Sequence, residues 1–275
     1  MPTHPHATVV LDSISAREVR LTTIEVTLHR FVLAELNTHR VFSRNSASSR
    51  AIPTAKQLQR VREDPALPVE FGSNQRGMQA GDPLEGEEHE AALNQWLGAR
   101  DSAVSAAERL AQMGVHKQVV NRILEPFMWH TVIVTATDWD GFWHQRCSPL
   151  AQPEIRLAAE SMRQTYDAST PQPIADAEWH TPYVRADERS LPMETRKRIS
   201  AARCARVSYL THDGRRDLEV DQTLYTRLVT ADPPHWSPLE HVATPASADE
   251  PQIGNLRGWR QLRHVIDHSR SATAT

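Results

Sequence analysis

Two β-rich runs open this chain, residues 7–12 and 18–32, and only one further strand candidate, Met128–Ala136, appears after them. Val19, Leu21, Ile24, Val26 and Leu28 give the second run aliphatic and β-branched character with partial alternation, and Val132, Ile133 and Val134 mark the third. The rest reads as helix and loop. A few strands among many helices constrain the chain to an α+β or α/β domain. The clearest helix covers residues 89–113, where Leu93, Trp96, Leu97, Val104, Ala107, Leu110 and Ala111 recur at helical spacing. Arg100 interrupts that stripe, Gly98 weakens it and Gly114 ends it. A second helix is expected over His116–Glu125, with Val119, Val120 and Ile123 toward the core and Gln118, Asn121, Arg122 and Glu125 facing elsewhere. Further helices are expected at 33–38, from Thr54 to about Arg62, and at 138–147, 152–166, 192–208, 217–230 and Gly258–Ile266. Ile155, Ala158, Ala159, Met162 and Tyr166 share one face of the helix at 152–166. Residues 64–88 and 170–185 read as loops. The reading is one domain over 1–268 followed by a disordered tail, 269–275.

With 39% hydrophobic and 24% charged residues over 275 positions, the chain has the composition of a soluble globular protein. A net charge of −3 argues against a general nucleic-acid or membrane-surface binder. Lys occurs only at 56, 117 and 197, so Arg carries nearly all positive charge. Cys147 and Cys204 stand alone and far apart, which gives neither a disulfide framework nor a zinc spacing. No secretory leader and no apolar run of roughly 20 residues is visible. The expected location is cytoplasmic.

The segment Thr38–Arg50 packs one His, three Arg and four Ser into thirteen residues with no Lys, Asp or Glu. Planar guanidinium groups, hydroxyls and turn N–H groups are the donors that a phosphate needs. Read alone, the segment is equally a solvated loop. No GxGxxG and no GxxxxGK[ST] is present, so a nucleotide or flavin would be held by side chains and irregular backbone. A second compact segment, His235-Trp236-Ser237-Pro238-Leu239-Glu240-His241, has two His six apart across a Pro; it also reads as a plain turn, and no metal is expected there. Arg146 beside Cys147 could lower the thiol pKa and create a nucleophile, although isolated Cys residues are usually structural. Arg122 reads equally as a surface salt-bridge residue.

Together these segments resemble the flavin-dependent thymidylate synthases. That family carries R-H-R, seven residues, then S; Thr38-His39-Arg40 followed by Ser48 matches it without the first Arg, and Ser49-Arg50 continues the pattern. His235–His241 is similar to the family's H-x-[ST]-P-F-E-H, with Leu239 for Phe, and Ala205-Arg206-Val207-Ser208-Tyr209 resembles its S-Y segment. Phe142–Arg146, Ala151-Gln152-Pro153-Glu154-Ile155 and Arg122-Ile123-Leu124-Glu125-Pro126 resemble three more, the last with Glu125 where the family has Leu. In the family's usual order the S-Y and H-x-S-P segments come first. Here they come last, so the resemblance implies a circularly permuted member, with a mixed sheet flanked by long helices.

The resemblance implies C5-methylation of dUMP or UMP, with methylenetetrahydrofolate as carbon donor, FAD as hydride donor and NADPH as its reductant. It also implies a homotetramer with shared sites. Carried over by position, His39, Arg40, Ser46, Thr135, Thr137, His235 and Ser237 would contact the flavin. Glu35, Ser46, Ser48, Ser49, Arg50, Arg122 and Arg146 would contact the nucleotide, with Arg146 stabilising negative charge on the uracil as N3 loses its proton. The chain departs from the family at Thr38 (Arg), Glu35 (Gln), Ser46 (Glu), Thr135-Ala136-Thr137 (N-x-R) and Leu150 (His). These departures open the choice between dUMP and UMP, and between methyl and hydroxymethyl product. Two other readings remain at this point: a flavin-free enzyme using Cys147, and a non-catalytic nucleotide-binding homologue.

Overall fold

A computed structural model describes residues 5–207 and 217–273 of the chain. Strands β1 (His6–Ile14) and β2 (Arg20–His29) form an antiparallel hairpin. Its turn is closed by Ser15, whose hydroxyl accepts from Val19 N at 3.2 Å, while Glu18 takes a positive φ of 60°. Arg20 then forks onto Asp12 across the ladder at 3.0 and 2.7 Å. β2 also pairs antiparallel with β4 (Trp129–Ala136), which pairs antiparallel with the short β3 (Ser43–Ser46). β5 (Gln172–Pro173) joins β1 in parallel, so the sheet is mixed, with order β3-β4-β2-β1-β5. The second β-rich run stops at His29 rather than residue 32; Arg30–Val32 coil into a 3-10 turn that leads into α1 (Leu33–Asn37).

Period-two alternation divides the sheet into two faces. Ile24, Val26, Leu28, Val132, Val134 and Ala136 point to one side and are buried under α5 (Asp140–Arg146) and α6 (Pro153–Asp167), through Phe142, Trp143, Ile155, Ala158, Ala159 and Met162. Each large side chain sealed there contributes about 1.5–3 kcal/mol. The opposite face is polar where it is not covered. α7 (Met193–Arg206) lays Cys204, and Val207 after it, against Ile133. That helix is anchored by Arg203, which donates to Glu188 at 2.5 and 2.7 Å and to Asp221 of α8 (Leu218–Thr230) at 3.0 Å.

A second core forms where α2 (Thr54–Glu63) and α3 (Gly86–Gln112) meet α4 (Lys117–Val120): Leu58, Val61, Val104, Ala107, Val120, Leu124 and Phe127 are all buried. The helix expected over His116–Glu125 is therefore only α4, continued by a 3-10 turn over Asn121–Phe127. Pro126 disfavours α-conformation at the residue before it and removes a donor, which explains the tighter coil. The expected faces change accordingly. Val119 is 51% exposed, whereas Asn121 is fully buried and donates to the carbonyls of Ser49 and Ile52 at 2.7 and 3.0 Å.

The C-terminal part returns to the sheet through a 3-10 turn at Ser237–His241, the ribbon β6 (Ala243–Pro245) and β7 (Trp259–Gln261), and α9 (Leu262–Thr273). The last helix begins four residues later than the sequence suggests, because 259–261 pair as a strand. It also runs through Thr273, so the tail expected from Ser269 is helical over most of its length. Ser208 and Tyr209, part of one family-like segment, lie outside the described residues. No described helix is long and apolar enough to cross a membrane.

Candidate active site

The segment from Glu35 to Arg50 leaves α1, forms β3 at the sheet edge and turns away beside the 3-10 coil at 121–127, carrying one cluster of polar groups at each end of β3. At the first end stands Arg146, the last residue of α5. Its Nε donates to His39 Nε2 at 3.0 Å, and its Nη2 donates to the Glu35 carbonyl at 3.2 Å and the Thr38 hydroxyl at 3.0 Å. None of these acceptors carries charge. Since Nε2 of His39 accepts, its ring is neutral with the proton on Nδ1. Burial, reinforced by Arg146 and Arg44, holds the His39 pKa down at about 4. The ring is braced edge-on against Phe142, 4.9 Å away. Arg44 fixes the same loop from behind, donating to the carbonyls of Leu36 and His39, both at 3.2 Å. One carboxylate oxygen of Glu35 is buried without a hydrogen-bond partner among the described residues.

Along β3 the C-terminal segment docks. Ser237 donates to Asn45 Oδ1 at 3.2 Å, and Asn45 Nδ2 donates to the Cys204 carbonyl at 2.7 Å, tying β3 to α7 and to the 235–241 turn. Gln261 Nε2 reaches Ser43 Oγ at 2.8 Å and the Glu240 carbonyl at 2.9 Å. Segments nearly 200 residues apart thus share one edge of the sheet. His235 and Arg40 are exposed, Ser46 is half-buried on β3, and Thr137 Oγ1 accepts from Arg257 N at 3.1 Å. Arg40, just before β3 in the chain, and His235 and Ser237, on the turn that docks on β3, are a cation and two hydrogen-bonding groups of the kind a dinucleotide cofactor takes.

Thr135 does not fit the flavin contact expected of it. It is fully buried, and its hydroxyl is engaged with Thr23 at 2.7 Å and His241 Nδ1 at 2.8 Å. These bonds belong to a buried chain that continues from Thr23 to His180 Nε2 and from His180 Nδ1 to Ser13, each at 2.8 Å. Complete burial pushes both histidines down to about 3, so they are neutral links across the sheet. Thr135 is a structural member of that chain.

At the far end of β3 two of the expected phosphate donors, Ser49 and Arg122, meet at a carboxylate. Glu125 Oε1 accepts from Ser49 Oγ at 2.6 Å, from Arg122 Nη1 at 2.7 Å and from Arg30 Nη2 at 3.2 Å. Ser48 is half-buried, and Arg50 is exposed. The alternative nucleophile loses its basis here: Arg146 turns to His39 instead of the neighbouring thiol, and burial raises the Cys147 pKa above its ordinary value. A protonated, half-buried thiol is a poor nucleophile.

Sequence reasoning did not single out Arg44, Asn45, Gln261, Arg30 or His180. The first two sit inside the Arg/Ser segment, where strand pairing decides their role; Gln261, Arg30 and His180 stand outside every motif and carry no local signal.

Residues 11–172 match the family described as thymidylate synthase complementing protein. That stretch runs from within β1 to the first residue of β5 and includes β2–β4, the Arg/Ser segment and Arg146, but not the 235–241 turn. No curated protein sequence matches the chain. Among solved structures, a UMP/dUMP methylase PolB from Streptomyces cacaoi bound with 5-Br UMP is similar at 16% identity and a TM-score of 0.48, covering 61% of this chain and 90% of that chain. The same protein bound with 5-Br dUMP gives 15% identity and a TM-score of 0.47, covering 61% of this chain and 91% of that one.

Proposed function

Because this chain belongs to the thymidylate synthase complementing protein family, we propose that it methylates C5 of a uridine nucleotide, dUMP or UMP, taking the carbon from methylenetetrahydrofolate. The observation that carries the reading is Arg146: a guanidinium held on three sides by neutral acceptors, with no carboxylate among its hydrogen-bond partners in the described residues. Its charge is positioned but not cancelled. A uracil ring placed against it is stabilised as N3 loses its proton, and the electron density that this releases makes C5 more nucleophilic. A fixed cation contributes most where charge develops in a water-poor site. Neutral His39 keeps the guanidinium plane turned to the ring, and Thr38 and the Glu35 carbonyl hold its other edge.

Reduced FAD, when bound, supplies the hydride that completes the methyl group, and NADPH restores it. His39, Arg40, His235 and Ser237 are the residues of this chain that would hold it, while Thr135 and its buried partners keep β2 and β4 in register beneath. Ser48 and Arg50 hold the nucleotide phosphate. β3 alone carries the chain about 10 Å at a strand rise of about 3.3 Å per residue, which sets Arg146 and the Ser48–Arg50 turn well apart in one chain. A homotetramer in which neighbouring chains complete each other's sites accounts for that separation. Docking of the C-terminal turn on β3 is the arrangement that a circular permutation requires, since the family match ends at residue 172.

The test is an anaerobic assay on purified protein with FAD, NADPH and methylenetetrahydrofolate, offering UMP and dUMP in competition and reading products by mass. Gain of a methyl mass on either nucleotide is the expected result. No product from either, with flavin bound, contradicts the reading.

A further inference from the structure

Glu125 stands where the family-like segment has Leu, and it is the acceptor on which Ser49, Arg122 and Arg30 converge. Two of those three donors are ones that the nucleotide phosphate would use. All three meet a single carboxylate oxygen, the geometry with which such donors also grip a phosphate oxygen. The carboxylate is not a stray surface group. It projects from a 3-10 coil pinned by fully buried Asn121 and by Leu124, and its side chain is only 21% exposed. Arg50, exposed and absent from every ion pair among the described residues, is the cation of this end left uncompensated.

We propose that Glu125 is a specificity-determining residue: an internal carboxylate that competes with the substrate's phosphate for its own cradle, so that the enzyme discriminates only weakly between a uridine 5′-monophosphate and uridine itself. The inference rests on the uridine-nucleotide reading above. A phosphomonoester that enters must displace Glu125 from Ser49 and Arg122, or sit beside a like charge. A ligand with no phosphate meets a cradle already filled and locally compensated. Arg50 still attracts an anion, so the phosphate retains a modest advantage. With Leu at 125, Arg30, Arg122 and Ser49 would stand free for the phosphate, and discrimination on it would be strong.

The experiment is calorimetric titration of the flavin-loaded full-length protein with UMP, uridine and inorganic phosphate, for the wild type, Glu125→Leu and Glu125→Gln. Affinity for UMP is expected to rise about tenfold or more in Glu125→Leu, and to rise less in Glu125→Gln, with uridine affinity unchanged in both. Glu125→Gln keeps the shape and a hydrogen-bonding oxygen, so it guards against a Leu variant that folds poorly. Unchanged UMP affinity in both variants, with UMP still bound, overturns the role of Glu125 and leaves the methylation reading standing. Binding of no uridine compound by any of the three proteins overturns both.

Discussion

The two ends of β3 hold their arginines in opposite ways. At one end Arg146 is fixed by an imidazole, a carbonyl and a hydroxyl, all neutral, so its full charge remains for a ligand. At the other, Arg122 and Arg30 are fixed by a carboxylate, so their charge is already answered within the chain. Both are equally well positioned. Only the first is poised to stabilise charge that develops during a reaction. Counting the arginines that gather around a site therefore overstates its appetite for anions; what matters is which acceptor orients each one.

The largest effect should come from breaking the first end. Arg146→Ala should lower turnover by about 10²–10³-fold or more while flavin stays bound, measured by steady-state kinetics and flavin absorbance. Arg146→Lys should recover little, because a point charge cannot reproduce the fork. His39→Ala should lower kcat by about 10–100-fold with KM little changed, and His39→Asn, which keeps an acceptor, should recover part of it. At saturating flavin, which offsets any lost flavin contact, the double variant with Arg146→Ala should turn over no more slowly than Arg146→Ala alone, since the effect of His39 on turnover runs through that guanidinium. Full additivity would show that His39 has a separate task.

The second end should respond in KM. Arg50→Ala should raise KM for the nucleotide by about tenfold with kcat nearly unchanged, whereas Arg122→Ala, removing a cation already paired to Glu125, should raise it less. The reverse ranking would break the comparison.

Acid should separate the ends as well. His39 at about 4, and His180 and His241 at about 3, all lie below the ordinary 6.5 because of burial. Between 6.5 and those values the unfolded chain binds protons that the native one excludes. Stability from these groups is thus complete above pH 6.5 and is lost as pH falls through this window. Melting temperature should drop by several degrees from pH 7.5 to 5. A flat profile would mean that the buried histidines are not as solvent-free as their surroundings imply.

Much of this was legible in the residues. The α+β class followed from three strand-like runs among helices, and α3 and α6 lie within a few residues of their expected bounds because their apolar stripes are long and regular. The candidate site was legible to the extent that two of its expected residues, His39 and Arg146, meet in the fold. It was illegible where burial or pairing reassigns a residue. Thr135 stands as a flavin contact by its place in the family pattern until β2 and the 241 turn close over it. By the resemblance Arg122 and Ser49 read as phosphate donors, until the 3-10 coil, tightened ahead of Pro126, brings Glu125 between them and gives Arg122 the salt bridge that its residue type also suggested. The reach of α9 to Thr273 had no signal in a tail of Ser, Ala and Thr around a single Arg.

The central claim is that Arg146 offers an uncancelled charge to a uracil anion. It is tested most directly by spectrophotometric titration of 5-fluoro-UMP bound to wild type and to Arg146→Ala. The account predicts that the ring N3 pKa falls by about one unit or more on binding the wild type, equivalent to about 1.4 kcal/mol, and returns to its free value in Arg146→Ala. An N3 pKa that is the same free, bound to wild type and bound to the variant would contradict it.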